Sequence, residues 1–514
     1  LKGHSFQPFD HSGIVTDITP EEVAADKWTS GRNVVFVNNA TETAGGYGEF
    51  ASPLSGLGPL FAMNVVYGAE SYWIYCTADG VFVTDGETHS DITPTEGLQT
   101  VEAGEWSGTI LNGIPVLSNG KDAPFYWSLA VSAPCETIPG WPTGAYCKVI
   151  RSFKYHLFAL NIYDGTSAFP DTLWWSAAAA PGAIPQEWTP EPTNDAGDMT
   201  LADSPGVIMD GLSLRDTFVA YKQFATYMLS YVAGQFVFTQ RKLFLTSGIQ
   251  TSNCVIELNG EHWVFTGDDI IKHDGQSFMS VVQDKVKNDL VASVDTSKIG
   301  MCCAVSQMAD RQFFVCIPTQ GAAWLDRAYV INTITGDCGV IDLPGAAFVG
   351  RGVVSDLTVP ITWDLDSGTW DLDATFWDEQ TYSPTDDSLL ICSPGDNKLY
   401  NYGASDSLNG TALHAYVERQ GLPINDNIAR ALVVRVIPRI DGEDGETINI
   451  RVGGQPAYGE PILWGDPVPF LIGTDQWIDT QVEGRLISVN FDATTMRSWR
   501  VHGYRVEVTD LGLY

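Results

Sequence analysis

Positive charge is scarce in this chain: 28 of 514 residues are Lys or Arg, against 63 Asp and Glu, for a formal net charge of −35. A chain so acidic has no means of gripping nucleic acid by neutralising phosphates, and part of the surplus serves solubility. Long apolar runs are also missing. None approaches the ~20 residues of a membrane helix, and Leu1 to Phe9 contain no apolar core of signal-peptide length, so a soluble chain without an export signal is expected. The histidines, at 4, 11, 89, 156, 262, 273, 414 and 502, do not cluster in sequence, and His273 beside Asp274 reads as a turn residue rather than a catalytic base. The nine cysteines are odd in number and scattered, with Cys302 and Cys303 adjacent and no Cys-x-x-Cys. That spacing argues against zinc and for buried reduced thiols. Gly-x-x-x-x-Gly-Lys, His-Glu-x-x-His and Gly-x-Ser-x-Gly do not occur. No cofactor, no metal centre and no enzymatic activity is expected.

What is abundant is turn chemistry around short apolar strands, with 50 Gly and 27 Pro and no long helical periodicity. Trp263-Val264-Phe265, a turn at Gly267 to Asp269, Ile270-Ile271 and then Asp274-Gly275 form one up-and-down unit. Trp73 to Gly86 repeat it with two Asp-Gly turns, and Leu390 to Gly403 give a degenerate copy. Repeated units of this kind predict the blades of a β-propeller. Leu111-Asn112-Gly113-Ile114 predicts a tight hairpin, as does Asn332 to Gly336 after the strand Tyr329 to Ile331.

Residues 352–397 hold ten acidic residues and no Lys or Arg, with Trp363-Asp364, Trp370-Asp371 and Trp377-Asp378 spaced by seven. Gly368 and Thr369 make a helix unfavourable, so a projecting β-ribbon or a solvated acidic loop is expected. Asp364, Asp366, Asp371 and Asp373 lack the spacing of an EF-hand-like calcium loop. From 411 onward there are nine Arg, no Lys and fourteen acidic residues. Alternation there (Val434, Val436, Pro438; Ile448, Ile450, Val452; Tyr504, Val506, Val508) predicts strands buried on one face, as in a sandwich.

Several phrases together resemble one family. Trp28 is followed by Gly31, Asn33-Val34, Phe36 and Gly45-Gly46-Tyr47, with Ser30-Gly31 read as an exposed turn. Leu111 to Trp127 carry a strand, Asn-Gly and Pro-aromatic-aromatic. Val149 to Leu160, Trp174-Trp175-Ser176, Trp188 and Phe218 to Leu229 follow in order, and Arg497 to Val508 close the chain. This resembles the tail nozzle proteins (tail tubular protein B, or tail hub, family) of short-tailed bacteriophages.

The resulting expectation is an all-β chain. Residues 56–410 form a β-propeller of about six blades with the acidic Trp-Asp insertion near 360–388, and residues 1–55 and 411–514 combine as a β-sandwich-like platform domain. The resemblance implies a structural virion protein, assembled in the host cytoplasm as a homo-oligomer, a hexameric ring docked on a tail adaptor or portal-side ring, with tail fibres or spikes as further neighbours. DNA would pass through its channel without specific binding. Asp364, Asp366, Asp371 and Asp373 are the candidates to line that channel, and Arg435, Arg439, Arg451, Arg497, Arg500 and Arg505 the candidates to dock a partner, with strand-surface ion pairing as their plainer role. The alternative is a carbohydrate-binding or glycoside-hydrolysing propeller, since Trp residues and paired carboxylates suit glycosides. Asp366 to Trp370 look like part of a sialidase Asp-box, one residue short and unrepeated.

Overall fold

The computed structural model describes residues 4–9, 12–51, 58–67, 70–232, 237–354, 387–423 and 430–512. Seven four-stranded antiparallel sheets are threaded in order along the chain. Their first strands, Phe61–Tyr67, Ser107–Leu111, Tyr146–Phe153, Ile208–Leu214, Val255–Leu258, Cys303–Gln307 and Phe348–Val353, each pack against the next, and the last packs against the first. The result is a closed ring of seven blades, numbered here in that order. Two-residue turns reverse the strands where the sequence supplies residues that tolerate positive φ. Asn112 and Gly113 sit at φ 53 and 84, and Asn38 and Asn39 at 50 and 58, the mirror-image turn that matches strand twist.

The expected number of blades, about six, is too low. Blade 2 ends in two strands of only two residues, Phe125–Tyr126 and Glu136–Thr137. Blade 7 takes its outer strand from elsewhere: Tyr47–Glu49 pairs with Lys398–Tyr402, Tyr47 opposite Tyr402 and Glu49 opposite Tyr400. Neither blade shows a full four-strand pattern in continuous sequence. The borrowed strand is fastened by an ion pair of 2.8 Å between Lys398 and Glu49.

Both chain ends build the remaining two sheets, each of six strands. The first contains Val34–Val37, Ala40–Thr43, Trp499–Gly512, Arg430–Gly442 and Ile478–Gly484, with His4–Phe9 added along Trp499–Gly512. The second contains Ser30–Arg32, Leu413–Pro423, Leu486–Thr495, Thr447–Gln455 and Leu463–Trp464, with Val468–Leu471 beside Thr447–Gln455. Their apolar faces meet in one core, with Val433, Val436, Val506 and Val508 on one side and Ala415, Val417, Ile450, Val489 and Phe491 on the other. Trp28 lies between the sheets, its ring 5.9 Å from Phe491 and 6.2 Å from Tyr504. Its indole N–H donates to Thr41 over 2.8 Å, which is how a fully buried Trp avoids a stranded donor. An all-β propeller joined to a sandwich made from both ends is therefore the fold class found.

Two local expectations need correction. Ser30-Gly31 is not an exposed turn but part of a half-buried strand, because it pairs with Val417 and Glu418. Val434 is not a core residue either. A register shift between Val433 and Arg435 inserts a bulge, so Val433, Val436 and Pro438 face inward.

Propeller and sandwich share a continuous core through blades 5 and 6 and a polar seam on Cys338–Ala346, the outer strand of blade 6. Asn33 is the hub of the seam. Its N–H donates to Val340 O over 2.7 Å, and its Oδ1 accepts from the Asp342 N–H over 2.7 Å. Its amide nitrogen donates to the Asp342 carboxylate at 2.9 Å and to His414 O at 2.8 Å. The residue is 4 % exposed and held at φ 55, a left-handed conformation that Asn tolerates better than most. Arg32 Nε adds a 2.7 Å bond to Asp342, and Lys27 pairs with Asp337 at 2.8 Å. Asn33→Ala strands buried polar partners and strains the backbone, so urea unfolding should show a loss of about 2–4 kcal/mol. Asn33→Gly, which relieves only the backbone, should recover about 1 kcal/mol of that.

Candidate functional site

A buried charge network joins the inner strands of blades 2 to 4 to the start of blade 5. Arg151, on the inner strand of blade 3, forms two 2.9 Å bonds to Asp210 on the inner strand of blade 4. Its Nη1 donates to Gly108 O of blade 2 at 3.1 Å, and Nη2, already on Asp210, also donates to the Asn253 side-chain oxygen, just before blade 5, at 3.0 Å. Asp210 also accepts from the backbone N–H groups of Asn253 and Gly211, each at 2.7 Å. The fork geometry of a guanidinium suits this task, since one side chain bridges four consecutive blades. With Arg151 9 % and Asp210 2 % exposed, removing either partner leaves an uncompensated charge inside.

At one mouth of the ring lies a cavity of about 550 Å³. It is lined by connectors between blades and by turns between second and third strands, including Leu60, Val101, Glu102, Lys298, Met301 and Trp324. Gly104 belongs to the same mouth. It sits at φ +86 with the carbonyl oxygen of Gly300 only 2.0 Å from where a Cβ would stand, so two connectors close against each other there. A second cleft, about 520 Å³, opens on the solvent face of the second sandwich sheet.

The histidines do come together at one place that sequence spacing did not indicate. Tyr221 of blade 4 reaches His262 Nδ1 at 2.7 Å and His273 Nε2 at 2.6 Å, both in blade 5. His262 Nε2 donates to Ser213 O at 2.8 Å, so its Nδ1 accepts the Tyr221 hydroxyl proton, and the hydroxyl oxygen accepts from His273. His273 is thus a buried strand residue, 2 % exposed, not a turn residue. Burial pushes His262 down to about 4 and, with the neighbouring His262, His273 down to about 3; it pushes the Tyr221 phenol up. The trio locks a seam between two blades in its uncharged form.

The sequence-derived site residues fall in different places. Asp364, Asp366, Asp371 and Asp373 lie outside the described residues. Arg435, Arg439, Arg500 and Arg505 stand on the solvent face of the first sandwich sheet, Arg451 on that of the second, and Arg497 in the turn before the last strand. Arg435 pairs with Asp479 at 2.8 Å and lies 4.6 Å from the Trp477 ring; Arg497 pairs with Glu443 at 2.8 Å and Arg500 with Glu42. Arg451 donates to Gly465 O at 2.9 Å and lies 5.4 Å from the Trp464 ring. All nine cysteines are buried and unpaired, and among the described residues no three His, Cys, Asp or Glu side chains gather as metal ligands.

Two measurements follow from the buried networks. Arg151→Ala should lower the unfolding free energy by about 3–5 kcal/mol, and Arg151→Met with Asp210→Leu should restore most of it, read by urea titration. For the histidines, the folded pKa values lie below the ordinary 6.5, so the unfolded chain binds more protons in between. Their contribution is full above about pH 6.5 and is lost as the pH falls toward 4 and 3, on the order of several kcal/mol in all. The slope of stability against pH in this window should flatten in His262→Gln/His273→Gln relative to the parent chain.

No protein-family model and no curated protein matches the sequence. Among solved structures the chain is similar to YCF48 bound to a D1 peptide, at 9% identity and a TM-score of 0.38, over 68% of this chain and 95% of that one. The β-propeller domain of Cps50 (Swd1) from Myceliophteria thermophila aligns at 10% identity and a TM-score of 0.41, over 69% and 99%. The exo-beta-1,3-galactanase from Phanerochaete chrysosporium, with galactose, aligns at 9% and 0.26, over 90% and 100%. The architecture itself rests on the strand topology: a seven-bladed β-propeller carried by a β-sandwich.

Proposed function

We propose that this chain is a structural subunit of the tail nozzle of a short-tailed bacteriophage, several copies of which form a ring around the channel through which the genome leaves. The observation that carries the reading is where the apolar surface lies. Tyr231 and Val232 at the end of the third strand of blade 4, Leu245 just past its outer strand, and Phe278 and Met279 on the outer strand of blade 5 are 43–65% exposed. Exposed apolar groups on a chain of net charge −35 suit a surface that packs against a neighbouring subunit.

The rest of the build suits a passive structural part. The blade ring is closed by the strand Tyr47–Glu49, and segments far apart in the chain pair within the sandwich, which ties the two bodies together. A net charge of −35 repels phosphate, which lets a duplex slide without adhesive contacts. Arginines of the sandwich faces serve in this reading as contacts to the adaptor ring, some of them exchanging their present carboxylate partners on docking.

Native mass spectrometry with negative-stain imaging of the purified chain tests the proposal. The expected outcome is a ring of about six copies with an axial channel, dissociated by Leu245→Asp/Met279→Asp without a change in melting temperature. A compact monomer that hydrolyses oligosaccharides would overturn it in favour of a carbohydrate-active propeller.

A further inference from the structure

The cleft on the second sandwich sheet has a composition that neither the propeller nor a docking role explains. Alternation along the strands turns Ala415, Val417, Ile450, Val452, Val489 and Phe491 into the core, so their neighbours must face out. Two cross-strand rows result. Tyr416, Asp492 and Asn449 stand side by side in one, and Glu418, Asn490 and Arg451 in the other. Ser30 continues the second row at one edge, opposite Glu418. Trp464, from the short strand Leu463–Trp464, forms a wall of the cleft, and His414 completes the lining.

These side chains hold one another in place. Asn490 donates to Glu418 at 3.1 Å, His414 Nε2 meets Asp492 at 2.9 Å, and Arg451 is fixed by Gly465 O and by the Trp464 ring. Hydrogen-bonding capacity is left over nonetheless. Among the described residues Arg451 donates only through Nε, the Glu418 oxygens each accept one bond, from Gln420 and Asn490, and like Asp492 keep further lone pairs, and the Asn449 amide bonds to none. The cleft therefore offers preorganised donors and acceptors in alternation, beside aromatic surface from Trp464 and Tyr416.

We infer that this cleft binds a neutral oligosaccharide. Adjacent sugar hydroxyls both donate and accept, which matches neighbouring amide, carboxylate and guanidinium groups, and the C–H face of a pyranose packs on an aromatic ring. Phosphate-bearing ligands are disfavoured by Glu418 and Asp492, which offset His414 and Arg451. An apolar peptide would find few apolar contacts. The volume of about 520 Å³ is that of a small-ligand cleft and admits a short oligosaccharide segment. The residues are set for binding, and no covalent step is implied. The site lies on the sandwich, not on the propeller, and stands whether or not the chain assembles into a ring.

The test uses the 514-residue chain on an array of neutral tri- and tetrasaccharides of glucose, mannose and galactose, followed by calorimetric titration of the best-retained one. Retention of at least one of them is expected, with affinity falling about tenfold or more in Trp464→Ala and in Asn449→Ala. Asn449 is exposed, so that variant separates binding from folding; Trp477→Ala, beside Arg435 of the opposite sheet, should bind as the parent does. The inference is overturned if the array retains none of these saccharides, or if the retained one binds Trp464→Ala and Asn449→Ala as tightly as the parent.

Discussion

Everything in this molecule depends on bringing the N-terminal segment home. Between Trp28 and Glu49 the chain plugs the sandwich core, edges both sandwich sheets, forms the seam with blade 6 and closes blade 7. Strand pairing at such sequence separation costs loop entropy before it returns any contact. The return is therefore concentrated in a few residues. Trp28 supplies apolar area between two sheets, and Asn33 supplies hydrogen bonds to two strands that are otherwise unrelated.

The interior solves a second problem in a similar way. Inner strands of successive blades must be held together, and here a bidentate Arg151–Asp210 pair, bonded to carbonyl and amide groups of neighbouring blades, joins blades 2 to 4 to the start of blade 5. Burying that pair is costly unless every lone pair and proton is used, and its extra bonds to Gly108, Asn253 and Gly211 meet that demand. Between blades 4 and 5 the corresponding link is uncharged, a Tyr221 hydroxyl shared by two neutral imidazoles. Blade-to-blade contacts are thus registered by polar groups set in apolar surroundings. Their hydrogen bonds form in one alignment only, which registers blades 2 to 5 against one another.

Surface chemistry divides along similar lines. The propeller and its connectors hold most of the negative charge, while the sandwich displays arginines, most of them engaged with carboxylates, Gly465 or tryptophan rings. Among such ordinary strand-surface pairs the second sandwich sheet differs. It bounds a cleft whose wall is an aromatic ring and whose floor is a grid of fixed polar groups.

Local turn and strand chemistry determined much of this protein by itself. Asn112-Gly113 and Asn38-Asn39 accept positive φ, and alternation at Ile448 to Val452 and Tyr504 to Val508 marks one buried face, so hairpins, blades and one-sided sheets are legible residue by residue. Pairings between distant segments are not, because a strand carries no local mark of its partner. Tyr47–Glu49 gives no sign that it belongs to Lys398–Tyr402, and so the seventh blade was hidden. His262 and His273 are eleven residues apart in the chain, and only the hairpin and a tyrosine from the next blade make them one network. The cleft residues come from five strands between Ser30 and Asp492. Tertiary structure decided their meeting, because cross-strand register sets which polar side chains share a face.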